Sequence, residues 1–384
     1  MASVTLRAIS KSFGRVQVIE NLNLTMPDRQ MTCLLGPSGC GKTTTLRMIA
    51  GLEMPDTGDI LFDERDVTML EPRDRHVGMM FQGYALYPHM SVADNIAYPL
   101  KVRKVPRAER DRRVQHVAAM LGIGDLLARA ITQLSGGQQQ RVALGRAIVQ
   151  QPSVYLLDEP ISNLDAKLRS TMRAEIKRLQ KELATTTVLV AHDQLDALAM
   201  ADQIAVMNHG AIEQYGTPDE VYHQPATLFV AEFVGEPRMN VLPCTVARDG
   251  GQAVLRADGI SIPWDGVEEL PAAALAVGIR PQHVRLFPTP PAEPSFPALV
   301  RIATPEGTDI VYDLAAGPYT IKVRTPPEMR LAMDNTVFVH FPPRHLHLFD
   351  RQSGRRVAPV AHPAEGGAAE RSQQPSAIGL KADG

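Results

Sequence analysis

Gly36-Pro37-Ser38-Gly39-Cys40-Gly41-Lys42-Thr43 is the stretch that decides the fold of this chain. It follows a short apolar run, Met31 to Leu35, that predicts a buried strand. It leads into Thr44 to Ala50, which predicts a helix closed by Gly51. Strand, glycine loop and helix in that order make a phosphate-binding loop. The glycines let the backbone turn with positive φ and come close to a ligand. Successive N–H groups then face inward at the positive end of the helix dipole, a favourable place for an anion. Lys42 can reach the β and γ phosphates of a nucleotide, and the Thr43 hydroxyl can hold Mg²⁺. The bland alternative, a plain glycine-rich turn, does not account for the flanking strand and helix.

Working outward, the bulk composition bounds the rest. A chain of 384 residues holds about two domains, each able to bury its own core. Apolar content of 44% and charged content of 21% are ordinary for a soluble globular protein. A formal charge of −2 provides no bulk field toward nucleic acid or anionic lipid. The three cysteines, Cys33, Cys40 and Cys244, have no metal-ligand spacing and fit a reducing compartment. Cys40, inside the phosphate loop, reads as a small loop filler. Met1 to Gly14 lacks the apolar core of a signal peptide, and no apolar run approaches the roughly 18 residues of a membrane span.

Before the loop, Val4-Leu6-Ile9, Val16-Val18-Ile19 and Leu22-Leu24-Met26 alternate like three strands, with Phe13 in a turn. Phe13 is either a packing residue or a platform for a planar ligand, and packing is the ordinary reading. After the loop come a hairpin at Gly58 to Phe62 and a strand at His76 to Phe81 that ends at Gln82. Residues 91–132 read as helical throughout, opened by a Ser91 cap with Asp94 in the first turn. Leu134-Ser135-Gly136-Gly137-Gln138 precedes another helix. Its Ser-Gly-Gly is a second anion nest or a simple Ser-capped start. Strands at Ser153 to Leu157 and Thr187 to Ala191 end at Asp158-Glu159 and His192. From about residue 236 prolines and short strand-like runs predict a small antiparallel β domain, and 361–384 reads as a disordered tail.

Apolar runs alternating with helices predict a largely parallel sheet, and ligands bind such sheets at the carboxyl ends of the strands. The phosphate loop, Gln82, Asp158-Glu159 and His192 should therefore meet in one crevice. There Asp158 can serve a Mg²⁺ ion, Glu159 can deprotonate an attacking water, Gln82 can complete the metal and water shell, and His192 can donate to the γ-phosphate. Taken singly, an Asp-Glu pair after a strand is a solvated turn and a strand-end histidine is a satisfied surface group.

At this point the chain resembles the ATPase subunits of ABC transporters. The matching residues are Gly36 to Thr43 (Walker A), Phe81-Gln82 (Q-loop), Leu134 to Gln138 (signature), Tyr155-Leu156-Leu157-Asp158-Glu159-Pro160 (Walker B), Ser162-Asn163-Leu164-Asp165 (D-loop) and His192 (switch). They occur in family order over residues 1 to about 235. The resemblance implies an α/β fold: a P-loop NTPase core of RecA type with a helical subdomain at about 88–150. It implies ATP and Mg²⁺ as ligands, with Gly36 to Thr44 on the phosphates and Phe13 stacked on adenine. Glu159, His192 and Gln82 become the catalytic groups, Thr43, Gln82 and Asp158 the metal ligands, and Asp165 a D-loop residue. A homodimer or pseudodimer sandwiches two ATPs, so Ser135, Gly136, Gly137 and Gln138 of one subunit face the phosphates held by the other.

Gly216-Thr217-Pro218, Tyr222, Met239-Asn240, Gly278-Ile279-Arg280-Pro281 and Leu348-Phe349-Asp350 resemble the maltose-type importer ATPases. That group carries a C-terminal OB-like β domain, here 236–360, and energises uptake of sugars, polyols and glycerol phosphates. Gln282 departs from the group's glutamate, and Ala130-Ile131 from its basic-proline segment. The resemblance implies two permease subunits docking near Tyr84 to His89, a loop rich in exposed aromatics, a periplasmic binding protein, and a place on the cytoplasmic face of the membrane. Polyamine, ferric iron, sulfate and molybdate importers are the near alternatives. A DNA-associated ATPase is a distant one: it needs long heptad arms and a basic footprint, whereas residues 236–384 hold 15 Lys and Arg against 16 Asp and Glu. A stand-alone regulator using the β domain is the third.

Overall fold

The computed structural model describes residues 2–162, 164–249, 252–264 and 274–357. The tail at 361–384 and the D-loop's Asn163 lie outside the described residues. In the first 235 residues the strands are β1 (Val4–Phe13), β2 (Val16–Met26), β3 (Met31–Leu35), β4 (Thr57–Phe62), β5 (Arg65–Asp66), β6 (Val77–Met80), β7 (Val154–Asp158), β8 (Thr186–Ala191), β9 (Gln203–Asn208) and β10 (Ala211–Gly216). The helices are α1 (Lys42–Ala50), α2 (Val92–Val102), α3 (Arg107–Met120), α4 (Gly136–Ile148), α5 (Ala166–Leu183), α6 (Gln194–Met200), α7 (Pro218–His223) and α8 (Leu228–Phe233).

One six-stranded sheet runs β10-β9-β3-β8-β7-β6 and is parallel from β9 to β6. All residues of β3, β7 and β8 are buried, as a strand covered on both faces requires. Their side chains alternate between two cores. Met31, Cys33, Leu35, Tyr155, Leu157, Leu189 and Ala191 face the core built with α2 to α6. Leu34, Val154, Leu156, Val188 and Val190 face the core shared with α1 and an antiparallel sheet ordered β2-β1-β4-β5. This period of two is what a continuous apolar run hides from the eye.

Three sequence expectations change. The two runs at 16–19 and 22–26 are one strand, because Asn21 takes a left-handed φ of 47° in a bulge opposite Ser10 rather than making a turn. The helical stretch at 91–132 is interrupted: α2 ends at Val102, and Pro106, which has no N–H to give a helix interior, restarts the chain as the cap of α3. Between Gln82 and Ser135 the chain therefore folds as two short helices and no long arm. Third, β10, α7 and α8 add elements beyond the sequence expectation, although Thr217 and Glu220 form a capping box with Pro218 at the first helical position.

The last part is antiparallel: β11 (Asn240–Asp249), β12 (Gln252–Ala257), β13 (Ile260–Pro263), β14 (Leu275–Ile279), β15 (Arg285–Phe287), β16 (Phe296–Pro305), β17 (Ile310–Ala316), β18 (Tyr319–Thr325), β19 (Thr336–His340), β20 (His347–Asp350) and β21 (Arg356–Val357). They form two sheets, β13-β12-β11-β14-β20-β21 and β15-β19-β16-β17-β18, around one separate apolar core. Arg280, 1% exposed, ties this unit to the preceding helices. Its guanidinium donates to the carbonyls of Tyr222, Ala231 and Val234 and lies 4.3 Å over the Tyr222 ring. Gln282, the departure from glutamate, donates to the Tyr222 hydroxyl at 2.7 Å.

Candidate active site

Adjacent parallel strands bring their carboxyl ends to one edge. Leu35 lies beside Ala191, Val190 beside Asp158, and Leu157 beside Met80. The phosphate loop, His192, Asp158-Glu159 and Gln82 lie at the ends of these four strands, so they stand along one edge of the sheet.

The loop itself is built tightly. A Cβ on Gly36 would meet the Met207 carbonyl oxygen at 2.2 Å, so no other residue lets the loop leave β3 at this place. Gly41, at φ 105°, heads α1, and no side chain caps that helix. Its first N–H groups are those that a bound anion can satisfy. Lys42 is 6% exposed, and its Nζ donates to the carbonyls of Gly36 at 2.8 Å and Pro37 at 2.9 Å. The cation is thereby held beside the loop's mouth. Cys40 is buried with its Sγ 3.8 Å from Lys42 Nζ, in keeping with the filler reading. Ser38 and Gly39 are exposed at the loop's tip, and Thr44 is half-buried in the first turn of α1. Arg75, fully buried, fastens the other end of α1: it donates to Met48 and Ile49 carbonyls there and to Thr68 and Leu70 beyond β5.

Asp158 ends β7 and is buried, accepting from the Thr43 hydroxyl at 3.3 Å. Burial pushes its carboxyl above the ordinary value and the neighbouring Glu159 charge adds to this, while the Thr43 hydrogen bond pulls it down. Glu159 follows in a left-handed conformation, φ 46°, a strained place for a residue with a Cβ. That turn aims the carboxylate across to β6, where Gln82 Nε2 donates to Glu159 Oε2 at 2.8 Å. Glu159, Ser162, Arg169, His192 and Asp193 line a cavity of about 170 Å³. His192 is exposed at its edge. The Thr43 hydroxyl and the buried, electrically unfavourable Asp158 carboxylate present hard oxygen donors, which fits a Mg²⁺ ion. Gln82 could join them only through its amide oxygen.

The outlying candidates sit as follows. Phe13 ends β1 with 47% of its surface exposed and Lys11 Nζ 5.2 Å from its ring centre, which agrees with a platform better than with packing. Ser135 caps α4: its hydroxyl accepts from Gln138 N and the Gln138 side chain accepts from Ser135 N. Gly136 and Gly137 are the first residues of that helix, and a Cβ on Gly137 would strike Leu168 of α5 at 2.7 Å. Asp165 caps α5 through Leu168 N.

The loop at 84–89 corrects the sequence reading. Tyr84 is buried and Tyr87 half-buried against Tyr98, so the loop is not a cluster of exposed aromatics. Arg146 of α4 holds it, donating to the carbonyls of Tyr84 at 2.6 Å and Ala85 at 2.7 Å and stacking on Tyr87. The exposed apolar groups, Leu52, Phe81 and Val102, instead line a groove of about 640 Å³ that Tyr87 and Tyr98 also border. Arg146, Arg169 and Asp193 carry no sequence signal, since each acts through a partner distant in the chain.

Fold and site together define a P-loop nucleotide hydrolase with a helical layer and an appended β unit. Residues 19–162 match the family model described as ABC transporter, and residues 277–349 match the TOBE domain model. The sn-glycerol-3-phosphate import ATP-binding protein UgpC of Burkholderia mallei is 47% identical over 364 residues, covering 93% of this chain and all of that protein. UgpC of Escherichia coli O1:K1 / APEC is 45% identical with the same coverage. The trehalose/maltose import ATP-binding protein MalK of Thermococcus litoralis is 46% identical over 377 residues, again covering 93% of this chain and all of that protein. This chain belongs to the ATP-binding subunits of the ABC transporter family, which bind and hydrolyse ATP.

Proposed function

We propose that this protein hydrolyses ATP to energise an importer for sugars, polyols or glycerol phosphates. The end-to-end similarity to glycerol-phosphate and maltose import subunits supports the transport class, because it spans the β unit as well as the ATPase. The observation that carries the chemistry is the Gln82–Glu159 hydrogen bond, made beside the Thr43–Asp158 pair on one sheet edge.

In this reading the phosphates rest on the N–H groups that open α1, and Lys42 turns from the loop carbonyls to the β and γ oxygens. Adenine stacks on Phe13. Mg²⁺, held by Thr43 and Asp158 with Gln82 nearby, would neutralise charge between the β and γ phosphates. Gln82 orients Glu159, which accepts the proton of the attacking water, and His192 donates to the γ-phosphate. A second copy of the chain, or a close relative, supplies Ser135 and Gly137 at the positive end of its α4. The units at 1–235 and 236–360 do the chemistry and the regulation or dimer contact respectively. Two permease subunits dock in the groove lined by Leu52, Phe81 and Val102 rather than on aromatic side chains of the 84–89 loop. The subunit sits on the cytoplasmic membrane face, and a periplasmic protein delivers the substrate. Among the described residues no helix is long and apolar enough to cross a membrane.

The reading is tested by reconstituting the chain in liposomes with permease pairs and binding proteins of several importer classes. ATP hydrolysis should rise only with a system for sugars, polyols or glycerol phosphates. Stimulation confined to a polyamine, iron, sulfate or molybdate system would overturn the substrate class.

A further inference from the structure

The geometry points to Arg169 as a positioning residue that locks the D-loop segment to the loop carrying His192; this rests on the roles given above to Glu159 and His192. Arg169 lies in the first turn of α5. Its Nη2 donates to the carbonyl of Ser162 at 3.3 Å and of Leu164 at 3.1 Å. Its Nη1 donates to Asp193 Oδ2 at 3.4 Å. Asp193 follows His192 directly and caps α6 through Leu195 N at 2.8 Å. On the other side, the Ser162 hydroxyl donates to the Glu159 carbonyl at 3.1 Å. One planar cation therefore closes a path from Glu159 through Ser162 to Asp193 and His192, around the wall of the same cavity.

The choice of arginine follows from shape. Two carbonyls and a carboxylate are met at once by a rigid fork, which an ammonium on a flexible stem does not reproduce. The fork is held there although its Nε is buried without a partner among the described residues. Its neighbour Arg173 serves a different end: Nε donates to Asp196 at 2.6 Å and Nη2 lies 3.7 Å from Asp193, which fastens α6 to α5. Arg173 also leaves Asp193 with a cation when Arg169 is removed, so the substitution does not strand a charge.

The test uses the full chain with Arg169→Ala, Arg169→Lys, His192→Ala and the double variant Arg169→Ala/His192→Ala. Melting temperature reports folding, calorimetry reports ATP affinity, and steady-state kinetics report kcat and KM. Arg169→Ala should lower kcat by about 10- to 100-fold, the usual result of misplacing a reacting group, with KM and ATP affinity within about two-fold of the parent. Arg169→Lys, which retains charge beside Asp193 and so guards the fold, should stay within about three-fold of the alanine variant because it lacks the fork. The double variant should be no slower than His192→Ala, as expected of groups that act as one unit. Wild-type kcat in Arg169→Lys, or multiplicative losses in the double variant, would overturn this proposal. So would wild-type kcat in Arg169→Ala alongside a slow His192→Ala, leaving the site reading intact. Wild-type kcat in His192→Ala would instead overturn the role of His192, and this inference with it.

Discussion

Replacing Glu159 by Gln is the sharpest probe of the site. The amide keeps the shape of the side chain, and its oxygen still accepts from Gln82, so the 2.8 Å contact survives. It cannot take a proton. A positioned general base contributes about 10²- to 10⁴-fold, equivalent to about 2.7–5.4 kcal/mol of barrier. ATP affinity should stay within about two-fold, because Lys42, Thr43 and Asp158 are untouched and none of their hydrogen bonds involves Glu159. Gln82→Ala sets the internal scale. It removes the hydrogen bond to the Glu159 carboxylate, and losing a hydrogen bond to a charged group costs about 1.5–3 kcal/mol, which corresponds to a fall in hydrolysis of about 10- to 150-fold. Single-turnover phosphate release measures both rates, and calorimetry measures affinity. With hydrolysis blocked, light scattering should show an ATP-dependent dimer of Glu159→Gln that is lost on adding Ser135→Arg. A Glu159→Gln protein that turns over at the parent rate would refute the base assignment. So would one whose slowness follows only from weaker ATP binding.

Val102, 64% exposed at the end of α2, lines the proposed docking groove. Val102→Asp should leave the melting temperature and basal hydrolysis near the parent's yet abolish co-purification with permease subunits; retained co-purification would remove the groove as the docking site. Asp158 gives a pH prediction. Its carboxyl is raised above the ordinary 3.8 in the folded chain, so the folded state binds more protons than the unfolded one just above that value. Stability conferred by the protonated form is therefore lost as pH rises through this window, and the charged group remains a burden above it. Without nucleotide, Asp158→Asn should melt higher than the parent at about pH 7, with the difference closing toward about pH 4. An equal or lower melting temperature at neutral pH would contradict the burial argument.

The sheet and the order of groups along its edge were legible because each depends on local pattern. Unbroken apolar runs such as Met31 to Leu35 need cover on both faces, and that forces parallel neighbours and a shared carboxyl edge. The loop's glycines and the Ser135 cap likewise announce themselves within a few residues. What stayed hidden depends on contacts far apart in sequence. Tyr84 reads as an exposed aromatic until the fold packs its ring into the core under the helices, while Arg146, 62 residues later, takes its carbonyl. The left-handed turn at Glu159 has no glycine or asparagine to mark it. Arg169 is one more cation on a charged helix until α6 brings Asp193 to its tip. The break at Pro106 was readable and was obscured by the helical composition on both sides of it.

Arg280 has a consequence for how the two units can be handled. Its guanidinium finishes α8 by taking the Ala231 and Val234 carbonyls, which a short helix leaves open at its end. The backbone also crosses back: Leu228 N donates to the Gly354 carbonyl and Arg356 N to that of Ala226. The last helix before the β unit is thus completed by residues that the ribosome makes more than forty positions later. A chain cut near 235 keeps every group of the nucleotide site but sheds the cover of its own final helix, so the natural cleavage plane of this molecule does not coincide with any single point in its sequence.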